Sequence, residues 1–590
     1  KGNYQFGVQQ HGKESLEFYI YTDKKHSIYA PLPDNWEYNW HQVTAVYDGK
    51  EMALYINKEK KAAANVSGNI RNFPFPINIG RNAEAHGQET SVYICDAQID
   101  EVGIFNKAVF SDFRVEDANL WLSFDGEINN GTFYSYGIGA RTYGSICPDR
   151  SIQPEMWQMK KTVQPLSFSM IDAESGVFEV WNRNHFTDAS QYDVRWEMME
   201  DDKVIQSGVV NVATAPLSRE RVEIPYKKPT VIPGKEYRIV IRSFLKRDQL
   251  WASAGHEIAW DEFVIPNEYK ESVGLQLPGK SFAPLRMTFD TLSLMVGNEV
   301  FRYTFNRQNG HLTSLIYKGV ELIKSPFRLN LWRAPLANEL DTWNAWNTAM
   351  PYWKEGYGHT LATEMYSTGI DNLTLYPLSF SASEVNGRVH IQITNAELIG
   401  TGGTEKKDLY IEGVQCNGIL NTYQYIIHGD GTIEITHNLK PEGKMPLWFP
   451  RVGLTLTVND ALSNIEWYGR GPQENYPDRK TGYRTGIYSN TVEGLYEPYL
   501  MPQDYGLRTD IRWVRLTDNN GIGLQFEMNE LFNFNAYPYS TDNLTKAMYT
   551  YQLQKQDGIT VNLDYATTGV GCTARGVFPS YRAQVQEYNR

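Results

Sequence analysis

The chain has 590 residues, enough for about four domains at roughly 150 residues each. Its 69 acidic against 56 basic residues leave a net charge of -13, which argues against a nucleic-acid binder with a basic face. No apolar run approaches the roughly 18 residues of a membrane span, and 13% aromatics with 47 Gly and 27 Pro suit turn-rich β-sandwiches better than helix bundles.

The first hundred or so residues read as short strands and turns. In His41–Asn57 (HQVTAVYDGKEMALYIN) two strand-like runs flank Asp48-Gly49, a dipeptide that accepts the positive φ of a tight hairpin. Ile79-Gly80-Arg81 and Ile99–Phe105 follow as further β text. Asp100 and Glu101 could be ion ligands, but a strand-end carboxylate satisfied by backbone N–H groups is the preferred reading. The four cysteines, Cys95, Cys147, Cys416 and Cys572, lie far apart without metal-ligand spacing and are expected as separate buried thiols. No charged n-region followed by an apolar h-region stands near Lys1, so an export signal is expected on sequence outside this chain.

Between Val115 and Pro165 the pattern changes. In IQPEMWQMKKTV the residues Met156, Met159 and Val163 recur at spacings of three and four. Asp149 or Ser151 can cap the first turn and Lys160-Lys161 suit the last, which predicts a helix. From Ser175 to Pro266 strands return. Tyr192–Met198 alternates Val194, Trp196 and Met198 against charged residues, and Tyr237–Ile241 alternates again after the Pro233-Gly234-Lys235 turn. Ninety residues of this kind predict an immunoglobulin-like sandwich. Asn267–Pro284, polar and proline-punctuated, reads as a linker. Everything after Leu285 reads as one large β unit, with hairpins around Asn309-Gly310 and Gly429-Asp430-Gly431.

Glycoside hydrolysis ordinarily needs two carboxylates about 5 or about 6.5–9.5 Å apart. Three clusters carry acids beside aromatic or basic residues: Arg333–Glu339 (RAPLANE), Gly471–Arg479 (GPQENYPDR) and Leu507–Trp513 (LRTDIRW). The second is a loop whose charges could serve a sugar hydroxyl network. A buried corner in which an arginine holds Glu474 or Asp478 is the competing reading. In the third, Arg508, Asp510 and Arg512 alternate with Leu507, Thr509 and Ile511, as in a strand with one charged face. No pair of acids stands out as catalytic. The eleven histidines lack HxH or HExxH spacing, and no GxSxG, phosphate loop or post-strand GxGxxG occurs.

GPQENYPDR is similar to a motif of the bacterial β-galactosidases of glycoside hydrolase family 2. RAPLANE, YEPYLMPQDYGLRTDIRW at Tyr496–Trp513 and TTGVG at Thr567–Gly571 extend the resemblance to that family's large C-terminal β-sandwich, the small-chain domain. Pro148–Lys161 resembles the last helix of its catalytic (β/α)8 barrel, and Ser175–Ile265 the immunoglobulin-like domain that follows. Trp40-His41, the YDG hairpin, LYIN, NIGR and IDEVGIFNKA resemble a laminin-G/concanavalin-like jelly roll, a type that often binds carbohydrate and in many cases calcium, here expected as an N-terminally truncated insertion near the end of the barrel.

The resemblance implies a mainly β, multidomain chain: a partial laminin-G-like jelly roll over 1–112, the final loop and helix of the barrel over 113–165, an immunoglobulin-like sandwich over 166–266, a linker over 267–284, and a galactose-mutarotase-like small-chain sandwich over 285–590. It implies a retaining β-galactosidase whose acid/base and nucleophile lie in NExGH-like and EYxHxxGN-like motifs. Neither motif occurs in this sequence, so the catalytic glutamates are expected on preceding polypeptide and none is assigned here; the chain alone is expected to be inactive. In the family the loop after RAPxDND reaches the active site. By that resemblance Asn338, Glu339, Asp341, Trp343 and Trp346 would bind substrate, Asn338 keeping the motif's amide and Glu339 standing for its second acid, although two tryptophans beside a turn also suit a core. The family sends a tryptophan into the site from a later hairpin. Here Phe578 is the nearest aromatic.

The resemblance leaves the cofactor unknown: a divalent cation belongs to the complete enzyme, and Ala140 and Tyr143 stand where the family's sodium ligands would be, so no sodium ligands are expected. The implied partners are a β-galactoside or other glycan and the missing N-terminal catalytic portion, with no nucleic acid, no membrane span and room for a homo-oligomer. A periplasmic or secreted bacterial location is favoured over the cytoplasm. Two other readings stand beside this one. One is a carbohydrate-binding assembly without hydrolase activity. The other is a mutarotase-like epimerase, which would need a His and a Glu facing one pocket; His428 and His437 have no partner recognisable from sequence.

Overall fold

The computed structural model describes residues 5–71, 79–80, 97–108, 110, 114–123, 145–147, 149–266, 284–336, 339, 368–399, 409–411, 414–443, 445–446, 449–499, 501–547 and 550–570. The chain is mainly β and falls into two compact units, Lys1–Arg141 and Thr142–Arg590.

In the first unit two antiparallel three-stranded sheets, Phe6–His11/Ser15–Tyr21/Lys25–Pro31 and Val43–Tyr47/Glu51–Ile56/Glu59–Asn65, enclose a core of Leu16, Phe18, Ile20, Ile28, Met52, Leu54 and Ile56. The expected hairpin is present. Gly49 takes φ +88°, and the Asp48 carboxylate accepts the Lys50 and Glu51 backbone N–H groups at 2.8 and 2.7 Å, an Asx arrangement that replaces lost ladder bonds. A short pair, Val102–Ile104 with Leu120–Leu122, follows. Asp100 accepts the Glu101 N–H at 3.0 Å, the backbone-satisfied arrangement rather than an ion site.

The second unit opens on helix α1, Pro154–Thr162. Its cap differs from expectation. Gln153 is the N-cap and Pro154 opens the first turn, a position where the missing N–H costs nothing. Asp149 instead accepts Ser151 N and Oγ at 2.9 and 2.7 Å, one turn earlier. The docked face also differs. Met159 and Val163 are 50% and 71% exposed, whereas Glu155, Gln158 and Lys161, polar residues three apart, face the rest of the unit.

Strands Leu166–Asp172, Val177–Asn182 and Arg219–Glu223 form one sheet of a sandwich; Lys203–Val210, Tyr192–Glu200, Tyr237–Leu245 and Glu257–Val264 form the other. Val194, Trp196 and Met198 are buried against it as their alternation requires. Tyr237–Ile241, whose alternation suggests a half-buried strand, lies in Tyr237–Leu245, which is covered on both faces: Arg238 is 1% exposed and donates to the Thr485 carbonyl at 2.8 Å. A second layer supplied by the C-terminal region overrides the local alternation.

Among the described residues, three larger sheets of that region surround one core, and a two-stranded pair, Leu409–Ile411 with Val414–Cys416, lies in sequence between the second and third strands of the four-stranded one. A five-stranded meander (Arg286–Phe289, Ser293–Gly297, Phe301–Asn306, Leu312–Tyr317, Val320–Glu321) and a four-stranded meander (Thr374–Val385, Arg388–Leu398, Gly418–Ile427, Ile433–Glu442) accompany a seven-stranded sheet. Its order is Ile323–Asn330, Arg451–Val458, Ile559–Thr567, Gly523–Tyr537, Arg508–Thr517, Asn464–Gly471, Arg484–Thr491. The predicted hairpins fall here, with Gly310 and Gly431 at φ +74° and +95°. The expected linker lies, but for Pro284, outside the described residues.

Leu516 is fully buried and registers between Leu524 and Ile465 in the seven-stranded sheet. Leu516→Ala removes buried methyl groups where neighbours on two strands cannot collapse, a loss of about 2–5 kcal/mol, read as a lower urea midpoint of the transition that reports this domain.

Candidate functional site

The motifs singled out in the sequence meet at one end of the seven-stranded sheet. Antiparallel register pairs Arg451 with Thr567, Asn330 with Gly453 and Arg508 with Phe534, so RAPLANE, GPQENYPDR, DYGLRTD and TTGVG leave or enter strands at the same edge. Four arginines are buried there, Arg333, Arg451, Arg479 and Arg508, each 6% exposed or less, with Glu339, Glu474, Asp504 and Asp564 at 4% or less. Charges this deep are tolerated only when paired and hydrogen-bonded.

Glu474 lies at the centre of the GPQENYPDR loop. Its carboxylate accepts Arg479 Nη2 at 2.8 Å, the Tyr499 hydroxyl at 2.6 Å and the Gly506 N–H at 2.6 Å. Arg479 reaches in the other direction to Glu155 of α1. The helix is held further along by Tyr483, whose hydroxyl donates to Pro154 O at 2.5 Å, and by Gln158, which accepts the Gly482 N–H and donates to Thr481 Oγ1, both at 2.8 Å. Gly482 is required by this approach, because a Cβ there would sit 2.7 Å from Gln158 Cα. One turn on, Lys161 pairs with Asp261 at 2.6 Å and stacks on Trp260. Burial lowers the Lys161 pKa and raises that of Asp261. Of the two sequence readings of the loop, the structure realises the arginine-held corner.

A second knot ties the other motifs. Arg451 meets Asp504 and Asp564, both at 3.3 Å, and Asn535 donates to Asp504 at 3.0 Å. Burial pushes Asp564 up to about 6 despite Arg451. Arg333 donates to Thr568 O, Thr568 Oγ1 and Glu339 Oε1 at 2.8–2.9 Å, and Glu339 Oε2 accepts the Leu336 N–H at 2.9 Å.

The expected single charged face at Arg508, Asp510 and Arg512 is broken by two register shifts around Ile511, with Asp510 at φ +53°, a bulge that re-aims side chains. Arg508 turns inward to Pro472 O at 3.1 Å. Asp510 pairs with Arg470 and Lys480 at 2.5 and 2.7 Å, and Arg512 with Glu236 at 2.5 Å. These last contacts seat the immunoglobulin-like sheet.

Of the residues expected to meet substrate, Glu339 is described: it is buried and anchors the start of its loop to Arg333. Asn338, Asp341, Trp343, Trp346 and Phe578 lie outside the described residues, as do Ala140 and Tyr143. Both histidines raised by the epimerase reading have partners. His428 pairs with Glu434 at 2.5 Å near the surface. His437 stacks on Tyr423 at 4.4 Å and lies between Asn421 Oδ1 at 2.5 Å and the Tyr565 hydroxyl at 3.1 Å. The carbonyl oxygen of Asn421 makes Nε2 the donor, so Nδ1 accepts from Tyr565. Burial pushes His437 down to about 4, keeping it neutral. Among the described residues no group of three or more His, Cys, Asp or Glu could hold a metal.

Glu155, Tyr499 and Glu497 were not singled out by sequence reasoning; their positions depend on folding partners far along the chain. Glu497 is pushed up to about 8, first by burial and then by the charge of Glu474, against the pull of Arg508 and Arg479. Burial also raises Glu474, against the pull of Arg479, Tyr499 and the Gly506 N–H.

Arg479→Leu would leave Glu474 buried without its cation, a loss of about 3–5 kcal/mol. Differential scanning calorimetry should show a lower transition, and limited proteolysis should cut α1 earlier. Because the folded pKa of Glu497 exceeds the usual carboxylate value, its stabilising contribution is complete below about pH 4.5 and is lost as pH rises through about 8. Glu497→Gln should therefore gain in melting temperature over the parent protein as pH is raised from 5 to 8.5.

Comparison with known proteins places these parts. Residues 297–590 match the family described as beta galactosidase small chain, residues 178–266 beta-galactosidase domain 4, and residues 1–112 the concanavalin A-like lectin/glucanases superfamily. A β-galactosidase of Priestia megaterium (strain DSM 319 / IMG 1521) is 28% identical over 464 residues, covering 77% of this chain and 40% of that protein. One from Pseudoalteromonas haloplanktis is 26% identical over 464 residues, 76% of this chain and 40% of that protein, and Beta-galactosidase 2 of Enterobacter cloacae is 27% identical over 430 residues, 72% and 38%. The chain spans about 40% of the length of the curated relatives it matches. Over its small-chain and domain 4 matches, which include RAPLANE, GPQENYPDR and TTGVG, this chain is similar to the bacterial β-galactosidases, consistent with a C-terminal portion of such a protein.

Proposed function

We propose that the chain is the C-terminal part of a retaining β-galactosidase-type enzyme of glycoside hydrolase family 2, and that it walls the substrate pocket while the two catalytic glutamates belong to preceding polypeptide. The observation that carries this reading is the two-sidedness of α1. Its polar side is locked by Glu155, Gln158 and Lys161 to the loop at 474–482 and to the immunoglobulin-like sheet. Much of its apolar side is open: Met159 is 50% and Val163 71% exposed, with Trp157 at 36% and Ile152 at 56% just before the helix, while Met156 is half-buried. A helix with an apolar stripe open to solvent is built to be covered, and the last helix of a barrel would be covered by its neighbours in that barrel.

Chemistry supports the same division. Glu474, Glu339, Asp504 and Asp564 each sit against a buried arginine, so their charges hold loops in place rather than reaching an anomeric carbon. Glu339 is tied to Arg333; by the family resemblance Asn338, Asp341, Trp343, Trp346 and Phe578 would be the residues that bind the sugar. The substrate is a β-galactoside, bound by aromatic stacking and hydroxyl recognition.

Expressed alone, the chain should not hydrolyse an aryl β-galactoside. Joined to a polypeptide that carries the NExGH-like and EYxHxxGN-like segments, it should restore turnover, and Met159→Asp should block that restoration by charging the open side of α1. Turnover by the chain alone, abolished by changing a carboxylate within its 590 residues, would overturn the reading.

A further inference from the structure

We propose that Lys161 and Asp261 condense to an isopeptide bond, a covalent staple between the last turn of α1 and the immunoglobulin-like sandwich. The cross-link goes beyond the function proposed above and does not rest on it. Lys161 lies in the last turn of the helix, and Asp261 lies in Glu257–Val264, opposite Ile241 of the neighbouring strand. They are 100 residues apart in the chain, yet Nζ stands 2.6 Å from Oδ1, with the two side chains 12% and 14% exposed. In every other lysine–carboxylate pair among the described residues the lysine is 29% exposed or more.

The second carboxyl oxygen is held by fixed donors. Asp261 Oδ2 accepts the Phe168 N–H at 2.8 Å and Gln164 Nε2 at 3.1 Å, and Gln164 is itself buried. One donor belongs to a strand backbone and the other to a closed side chain, so both stay in place when charge develops on that oxygen. On the amine side, Nζ also donates to the Trp260 carbonyl and lies 4.3 Å over the Trp260 ring. Arg484 stacks on the same ring at 4.8 Å. An amine withdrawn from water beside a second cation is the setting in which lysine becomes a nucleophile. Burial lowers the Lys161 pKa and raises that of Asp261, which brings the neutral amine and neutral acid within reach of the ion pair. Glu262, next in sequence, is taken by Arg238 and Arg470.

The bond forms without an outside reagent. A proton passes from the ammonium to Oδ1 along their hydrogen bond, and the freed lone pair on Nζ attacks Cγ. Negative charge collects on Oδ2, against the Phe168 N–H and the Gln164 amide. A second proton moves from Nζ to Oδ1, the C–Oδ1 bond breaks, and one water leaves as the amide carbonyl re-forms. Nothing is oxidised or reduced. The reacting groups are held in contact by the fold, which removes the entropic part of the barrier, and the product exchanges a buried ion pair for a neutral amide.

The test is the intact mass of the full chain, measured under denaturing conditions after prolonged incubation of the folded protein. The parent should be lighter than its sequence mass by one water molecule, and Lys161→Arg and Asp261→Ala should each have the full mass. Trypsin should fail to cut after Lys161 and should release a branched peptide joining it to the segment that carries Asp261. A nick in the exposed turn at Lys246–Arg247 should leave two fragments that stay joined in a denaturing, reducing gel. A parent of full sequence mass would overturn the proposal, and so would loss of water that persists in Lys161→Arg. The mass of the parent decides the matter even if a variant folds poorly, and no readout depends on hydrolysis of a sugar.

Discussion

One buried arginine connects the parts of the second unit. Arg479 lies between Glu474 in its own loop and Glu155 on helix α1, and almost every other contact of the helix follows from that position. With the guanidinium fixed, the loop from Pro472 to Gly482 is close enough for Tyr483 and Gln158 to pin the helix backbone. Replacing such a pair with apolar side chains would be neutral or better for stability. What a fork of charged hydrogen bonds adds is direction, because a planar guanidinium donates to carboxylates lying near its own plane.

The same logic organises the neighbouring edge. Arg333, Arg451 and Arg508 enter the end of the sheet from three different strand termini, where backbone groups no longer have a ladder partner. Thr568 and Gly569 carbonyls, the Pro472 carbonyl and the Gly506 N–H are satisfied by these side chains or by Glu474. Loops that leave a sheet normally find their partners in water. Here they find them in buried charge, which holds the described parts of these loops in place.

The first unit closes on a largely aliphatic core with one buried carboxylate, Glu17, paired with Lys25 at 2.7 Å. Its core is closed by small strands and by tight turns at Asp48-Gly49 and Asn57-Lys58, where positive φ values occur in succession or on glycine. The bracing of the Asp34–Gln42 loop by Asn39, His41 and Asn57 is made of neutral hydrogen bonds. The two units present different surfaces: one has a polar interior edge and an open apolar helix face, the other two solvent-facing rings, Tyr38 and Trp40.

The residues by themselves determined the local grammar. Alternation located Tyr192–Met198, the glycine turns located the hairpins of both units, and the GPQENYPDR string offered an arginine-held corner as one of two readings, because these features depend on neighbours within a few positions. The helix at 154–162 was legible from its periodicity, yet which face it buries was not. Met156, Met159 and Val163 make the apolar stripe, but Glu155 meets Arg479 at a separation of 324 residues, and no local rule anticipates that pairing. Tyr237–Ile241 follows the same pattern: it reads as half-buried until a second sheet covers Arg238. The bulge at Asp510 broke an alternation that sequence alone extends indefinitely. Tertiary structure decided these points because the free energy of a buried charge depends on where its counter-charge arrives in space, and only the complete fold brings the two together.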